Sequence, residues 1–175
     1  WAEAQRPYPG GVFWVDAAWN RDRGAAVTAG LAVLALHLHE LTEPETAAYV
    51  EIAERAYGWL RDTLSIADGP TAGLYHDKVL GAKADAGAID SSQWIYNQGV
   101  PIAAGVMLHR VTGQAAYLEQ ARATADAALR WYGAQGYAGQ PAIFSAIFFR
   151  NLLQLAGVTG GPAYRAAMQA YADRA

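Results

Sequence analysis

The chain has 175 residues, 53% of them hydrophobic, and its 13 Lys and Arg against 16 Asp and Glu give a formal net charge of −3. That composition suits one packed core and excludes a disordered chain, while the lack of a basic stripe argues against nucleic acid or an anionic membrane as partner. No uninterrupted apolar run reaches the roughly 20 residues that span a bilayer, and the absence of cysteine removes disulfide and thiolate chemistry but leaves the compartment open.

The chain opens Trp1-Ala2-Glu3-Ala4 without an initiator Met or signal-peptide order, and closes inside a helical pattern at Ala175 with no Gly or Pro stop. Both ends are expected to be cuts in a longer chain. Pro7, Pro9, Gly10 and Gly11 break any helix in the first 22 residues, and Val12-Phe13-Trp14-Val15 reads as a short extended piece in a loop with exposed aromatics. Packing is the default for Trp14, since large aromatics are mostly buried. Asp16, Trp19, Asn20 and Asp22 follow, with Asp22 placed to cap the next helix.

From about Arg23 to Leu41, Val27, Leu31, Val33, Leu34, Leu36 and Leu38 surround the axis, which predicts an inner helix buried on nearly all sides. His37 and His39 stand two apart, so they face different ways and are read as packed or hydrogen-bonded rather than as metal ligands. Residues 44–64 repeat apolar positions at three and four, including Tyr49, Ile52, Ala56 and Leu60, which predicts an amphipathic outer helix. Asp68-Gly69-Pro70-Thr71 ends that hairpin, and Gly73-Leu74-Tyr75-His76-Asp77 reads as a short, extended polar-aromatic piece whose His76 and Asp77 are either solvated or turned toward a ligand. A small-residue loop, Gly81 to Ala88, leads to Asp90.

Trp94-Ile95-Tyr96-Asn97-Gln98-Gly99-Val100-Pro101 is the stretch around which the chain is organised. It runs into a second inner helix from about Asn97 to Val111, with Pro101 placed in the first turn, where its missing N–H is tolerated. Asn and Gln offer paired donors and acceptors that match sugar hydroxyls, and Trp and Tyr offer flat apolar faces for a pyranose ring. The competing reading is that Asn97 and Gln98 cap the helix while Trp94 packs. An amphipathic helix at Ala115 to Tyr132, a third apolar helix after Pro141 and a last helix from Pro162 complete the pattern. Arg150 interrupts the third apolar helix and is expected to form a structural ion pair. Leu38-His39-Glu40-Leu41-Thr42 followed by Ala47-Ala48-Tyr49-Val50-Glu51 parallels Leu108-His109-Arg110-Val111-Thr112 followed by Ala115-Ala116-Tyr117-Leu118-Glu119. Three hairpins, each a buried helix followed by an amphipathic one, point to a curved or closed α/α array.

Gly10-Gly11-Val12-Phe13-Trp14 resembles the Gly-Gly-Ile-Trp-Trp type loop of glycoside hydrolase family 76, the α-1,6-mannanase family, and Trp94 to Val100 resembles its Thr-Tyr-Asn-Gln-Gly signature. Thr112-Gly113 with Ala116-Tyr117-Leu118, and Ala146-Ile147-Phe148-Phe149-Arg150-Asn151, support the match, which covers nearly the whole chain. The resemblance implies an all-α, six-hairpin α/α toroid of which about three hairpins are present, so that residues 1–175 form a partial domain. It implies retaining hydrolysis of α-1,6-linked mannan by two carboxylates about 5 Å apart, held by an adjacent Asp pair upstream of the Gly-Gly-aromatic loop. No adjacent Asp pair occurs here, so no residue of this chain is expected to be catalytic, and the missing N-terminal half of the domain is an expected partner. The sugar-binding wall is expected from Trp14, Asp90, Gln93, Tyr96, Asn97 and Gln98, with Asp77 and His76 on the rim, and the ligand is a mannan-like polysaccharide or oligosaccharide. Gly24 departs from the Asn that relatives commonly carry. No cofactor is expected, and the four His are not grouped with carboxylates at metal-ligand spacing. A secreted or cell-surface location would suit a polysaccharide hydrolase. Two other readings stand beside this one: a non-catalytic carbohydrate-binding or scaffold protein, and another α/α-toroid sugar enzyme, which would want His or Glu clusters at the inner-helix mouths.

Overall fold

The computed structural model describes residues 1–42, 47–81 and 85–174. Among them six helices run α1 (Ala25–Leu41), α2 (Ala47–Leu64), α3 (Ile95–Thr112), α4 (Ala115–Ala134), α5 (Ala142–Thr159) and α6 (Pro162–Ala172). Three two-residue strands, β1 (Arg23–Gly24), β2 (Lys78–Val79) and β3 (Ile89–Asp90), accompany them. The helices form three α-hairpins, an arc of an α/α toroid. Helix α3 lies at its centre and packs against α1, α4 and α5. The hairpin stops are chemical: α3 ends on Gly113 at φ 73° and α5 on Gly160 at φ 67°, left-handed positions that glycine adopts without a Cβ clash. Pro162 then opens α6, where its missing N–H is an orphan in any case.

Helix α3 is buried on almost every side from Ile95 to Leu108. Small residues permit this. A Cβ on Gly99 would lie 2.7 Å from the Cα of Phe148 in α5, and one on Gly105 would lie 2.9 Å from the Tyr117 carbonyl oxygen in α4. The main core joins Ile95, Ile102 and Val106 of α3 to Phe148, Phe149, Leu152 and Leu155 of α5 and to the alanine face of α4. A second cluster joins Leu36 of α1, Tyr57 of α2 and Leu108 of α3.

Several sequence expectations need correction. Helix α1 starts at Ala25, because Arg23 and Gly24 are in β1, and it is not buried all round. Its buried face is the row Ala25, Thr28, Ala29, Ala32, Ala35 and Leu36, mostly small residues that let α2 and α3 approach, while Leu34 points outward and is 56% exposed. Helix α5 is one-sided in the same way: Ile143, Leu153 and Val158 are exposed, and so is Arg150, which has no carboxylate partner among the described residues. By length and composition α5 could cross a bilayer, yet Phe148, Phe149, Leu152 and Leu155 anchor it in the core. Pro101 stands in the second turn of α3 rather than the first, since the helix begins at Ile95, and its missing N–H leaves the Asn97 carbonyl without its usual i+4 donor. Of the two alternatives for His37, packed or hydrogen-bonded, the structure shows the second: the ring is exposed and its Nδ1 lies 3.4 Å from Glu40 Oε2. The expected start of the outer helix at 44–46 and part of the 81–88 loop lie outside the described residues.

The small sheet was not anticipated. β1 pairs antiparallel with β2 and β2 with β3, so Gly24, Lys78 and Asp90 stand in one row across it. A bridge from Phe13 to Arg23 extends the sheet into the N-terminal loop. Arg23, buried, ties that loop down by donating to the carbonyls of Tyr8 and Gly10.

Candidate carbohydrate-binding cleft

The sheet stitches together the N-terminal ends of α1 and α3, and between them opens a cleft of about 250 Å³. Gly24, Ala25, Ala26 and Val27 from the mouth of α1, Tyr96 and Asn97 from the first turn of α3, Asp77 and Lys78 from β2 and its approach, and Trp14, Asn20 and Asp22 from the N-terminal hairpin line it. Gly24 is the N-cap of α1 and supplies no capping side chain. The Ala25 amide donates to the Asp77 carbonyl at 2.8 Å, which leaves the rest of that helix mouth as a donor-rich wall. The positive end of a helix dipole also favours the neighbouring carboxylates.

Asp77 is held in the cleft by the first turn of α3. Asn97 Nδ2 donates to its Oδ1 at 2.7 Å, and the carboxylate, an acceptor only, dictates that orientation of the Asn97 amide. Asn97 is 1% exposed and its Oδ1 has no protein partner, an uncommon condition for a buried acceptor. Lys78 Nζ sits among three carboxylates, 3.5 Å from Asp22 Oδ2, 3.8 Å from Asp77 Oδ2 and 4.0 Å from Asp90 Oδ2. The strand register causes this convergence, since Asp22 and Asp77 each immediately precede a paired strand and Asp90 ends the third. One ammonium against three carboxylates leaves the site rich in acceptors. Burial first, and then the Asp77 carboxylate beside it, push the Tyr96 phenol up to about 12, so it stays a hydroxyl donor at neutral pH. Hydrogen bonds from the Ser92 side chain and backbone amide, with a smaller contribution from Lys78, hold Asp90 below the usual carboxylate range.

The structure brings four of the residues expected from the sequence into the cleft lining: Trp14, Asp77, Tyr96 and Asn97. Trp14 is 60% exposed rather than packed. Asp90 reaches the cleft only through Lys78. Gln93 is turned toward Thr71, donating to its hydroxyl at 3.2 Å, and does not line the cleft. Gln98 lies beneath it, fully buried: its Oε1 accepts from the Tyr75 amide at 2.8 Å and its Nε2 donates to the Tyr75 and Trp94 carbonyls, both at 3.1 Å. Neither Asn97 nor Gln98 caps α3, whose N-cap is Trp94 without a side-chain bond. Asn20, Asp22 and Lys78 are lining residues that sequence reasoning missed. Asp22 does not cap α1; its Oδ1 accepts from the Gly81 amide at 2.9 Å. The Asp77-Lys78 dipeptide was the available signal for the ion cluster.

A family model described as Glycosyl hydrolase family 76 matches residues 1–170. The mannan endo-1,6-alpha-mannosidase DCW1 of Candida glabrata is 24% identical over 156 residues, covering 87% of this chain and 30% of that protein. Among solved structures, the Lin0763 protein from Listeria innocua is 29% identical with a TM-score of 0.73, over 86% of this chain and 43% of the other. An inactive variant of the α-1,6-mannanase GH76A of Salegentibacter sp. HEL1_6, with two aspartates changed to asparagine and in complex with α-1,6-mannotriose, is 26% identical with a TM-score of 0.75, over 94% of this chain and 49% of the other. The chain spans between 30% and 49% of the length of these relatives.

Proposed function

This chain belongs to glycosyl hydrolase family 76, and from that membership we propose that it forms the sugar-binding wall of an enzyme that cleaves α-1,6-linked mannan by a retaining mechanism, with the catalytic carboxylates on further hairpins of the same toroid. The observation that carries this reading is the Asp77 carboxylate, fixed at 2.7 Å by Asn97 in a cleft that also presents Trp14. A hexose offers hydroxyls on its edge and C–H bonds on its face. Asp77 and Asp22 accept from the hydroxyls, Lys78, the Tyr96 hydroxyl and the mouth of α1 donate to them, and the Trp14 ring takes the apolar face. Holding a sugar on several fixed groups presents the reacting carbon in one orientation, which is a positioning contribution to the rate.

Two observations support placing the acid groups elsewhere. The sequence has no adjacent Asp pair, and the GH76A variant bound to mannotriose is inactive with two adjacent aspartates replaced. The exposed Leu34 on α1, and Ile143, Leu153 and Val158 on α5, lie on the two flanking helices of the inner layer, where further hairpins would cover them. Calorimetric titration of the chain with α-1,6-mannotriose, paired with a reducing-end assay on α-1,6-mannan, tests the proposal. Binding without hydrolysis is expected. Hydrolysis by this chain alone would overturn the assignment of catalysis to other segments, and absence of binding would overturn the wall.

A further inference from the structure

The cleft is small for a polymer. A polysaccharide is larger than this opening of roughly 250 Å³, so units beyond those seated in it continue across neighbouring surface. One neighbouring feature is built for that. Residues 13–23 form a hairpin whose stem is closed by the Phe13–Arg23 bridge and by the Trp14 amide donating to the Asp22 carbonyl at 2.8 Å. Its tip is turned by the Ala17–Asn20 bridge, with the Asn20 amide on the Ala17 carbonyl at 3.2 Å, and Asn20 Oδ1 in turn accepts from the Asp22 amide at 2.9 Å. Asp22 is itself anchored to the Gly81 amide. The two flanks of this hairpin supply Trp14, Asn20 and Asp22 to the cleft, and its tip carries Trp19, 79% exposed. A large aromatic ring is thus held out by a hydrogen-bonded turn one residue from a cleft-lining side chain.

We propose that Trp19 is an outlying stacking platform that takes the C–H face of a hexopyranose unit of the same chain whose other units occupy the Asp77–Asn97 cleft, extending the site to longer oligosaccharides. The proposal rests on the cleft being the mannan site. An exposed indole suits the task because it offers a wide apolar face with few rotamers to freeze, and no charged group is needed for a neutral sugar. Ala17 and Ala18, the residues preceding it in the turn, are small.

Calorimetric titration of the chain and its Trp19→Ala and Trp19→Phe variants with α-1,6-mannooligosaccharides from the trimer to the hexamer tests this. In the unaltered chain affinity should rise with length. Trp19→Ala should lose that rise, weakening hexamer binding about tenfold while leaving trimer binding unchanged, and Trp19→Phe should restore most of it. Equal affinities for chain and Trp19→Ala at every length would overturn the platform, as would an equal loss at all lengths, which would make Trp19 a support of the hairpin instead. Failure of the unaltered chain to bind any oligosaccharide would overturn the cleft reading and this proposal with it.

Discussion

Replacing Gln98 by Met separates its buried role from a sugar-contacting one. The side-chain amide of Gln98 acts as a surrogate strand, closing both the N–H and the C=O of Tyr75, a residue that is itself 3% exposed. Met is close in length and fills the space with little cavity cost, so the loss reduces to two buried backbone groups without partners. Each costs about 1–3 kcal/mol, which gives a destabilisation of about 2–6 kcal/mol against the ~5–15 kcal/mol total of a typical domain. Urea unfolding followed by circular dichroism measures it, with the midpoint expected to fall while the slope stays unchanged. Since Tyr75 is two residues from Asp77, sugar affinity should fall along with stability. A loss of stability below about 1 kcal/mol would refute the clamp, and a loss of affinity at undiminished stability would mean that Gln98 touches the ligand after all.

Asp77→Asn keeps the shape of the cleft but removes the charge from its principal acceptor, and mannotriose affinity should fall about tenfold or more, since hydrogen bonds to charged groups contribute about 1.5–3 kcal/mol; unchanged affinity by calorimetry would remove Asp77 from the site. Gly99→Ala places a methyl 2.7 Å from the Cα of Phe148, and because backbone cannot yield as a side chain does, α3 and α5 must separate; a lowering of stability by about 1–3 kcal/mol is expected, and a melting temperature equal to that of the unaltered chain would contradict the close approach. Burial raises the phenols of Tyr57, Tyr75, Tyr96, Tyr117 and Tyr164, the last three to about 12. Above pH ~10 the unfolded chain therefore releases protons that the folded chain retains, and stability, fully present below that pH, should decline through the interval up to about 12. Phenolate absorbance rising together with loss of helical signal is the expected result, whereas phenolate formation well before unfolding would show that these hydroxyls are not protected.

The helices were legible because their apolar spacing is strong and the repeat of Leu-His-Glu-Leu-Thr with Leu-His-Arg-Val-Thr marks the same hairpin turn twice. Hydrophobicity alone places Leu34 inward, whereas on α1 it is mainly alanines, with Thr28 and Leu36, that meet α2 and α3, because short side chains permit the close approach. The cleft was half legible. Tyr96, Asn97 and Trp14 stood in recognisable motifs, but Lys78 and Asp22 owe their positions to two-residue strands, too short to leave any alternation in sequence. Gln93 and Gln98 carry the same side-chain amide chemistry as Asn97, yet only the three-dimensional path of Thr71 and Tyr75 determines that these two amides bind protein groups away from the cleft.

The most direct test of the central claim is a crystal structure of this chain with α-1,6-mannotriose. A pyranose ring is expected to lie against Trp14 with hydroxyls within hydrogen-bond distance of Asp77. A sugar bound on another surface, with the Asp77–Asn97 cleft empty, would contradict it.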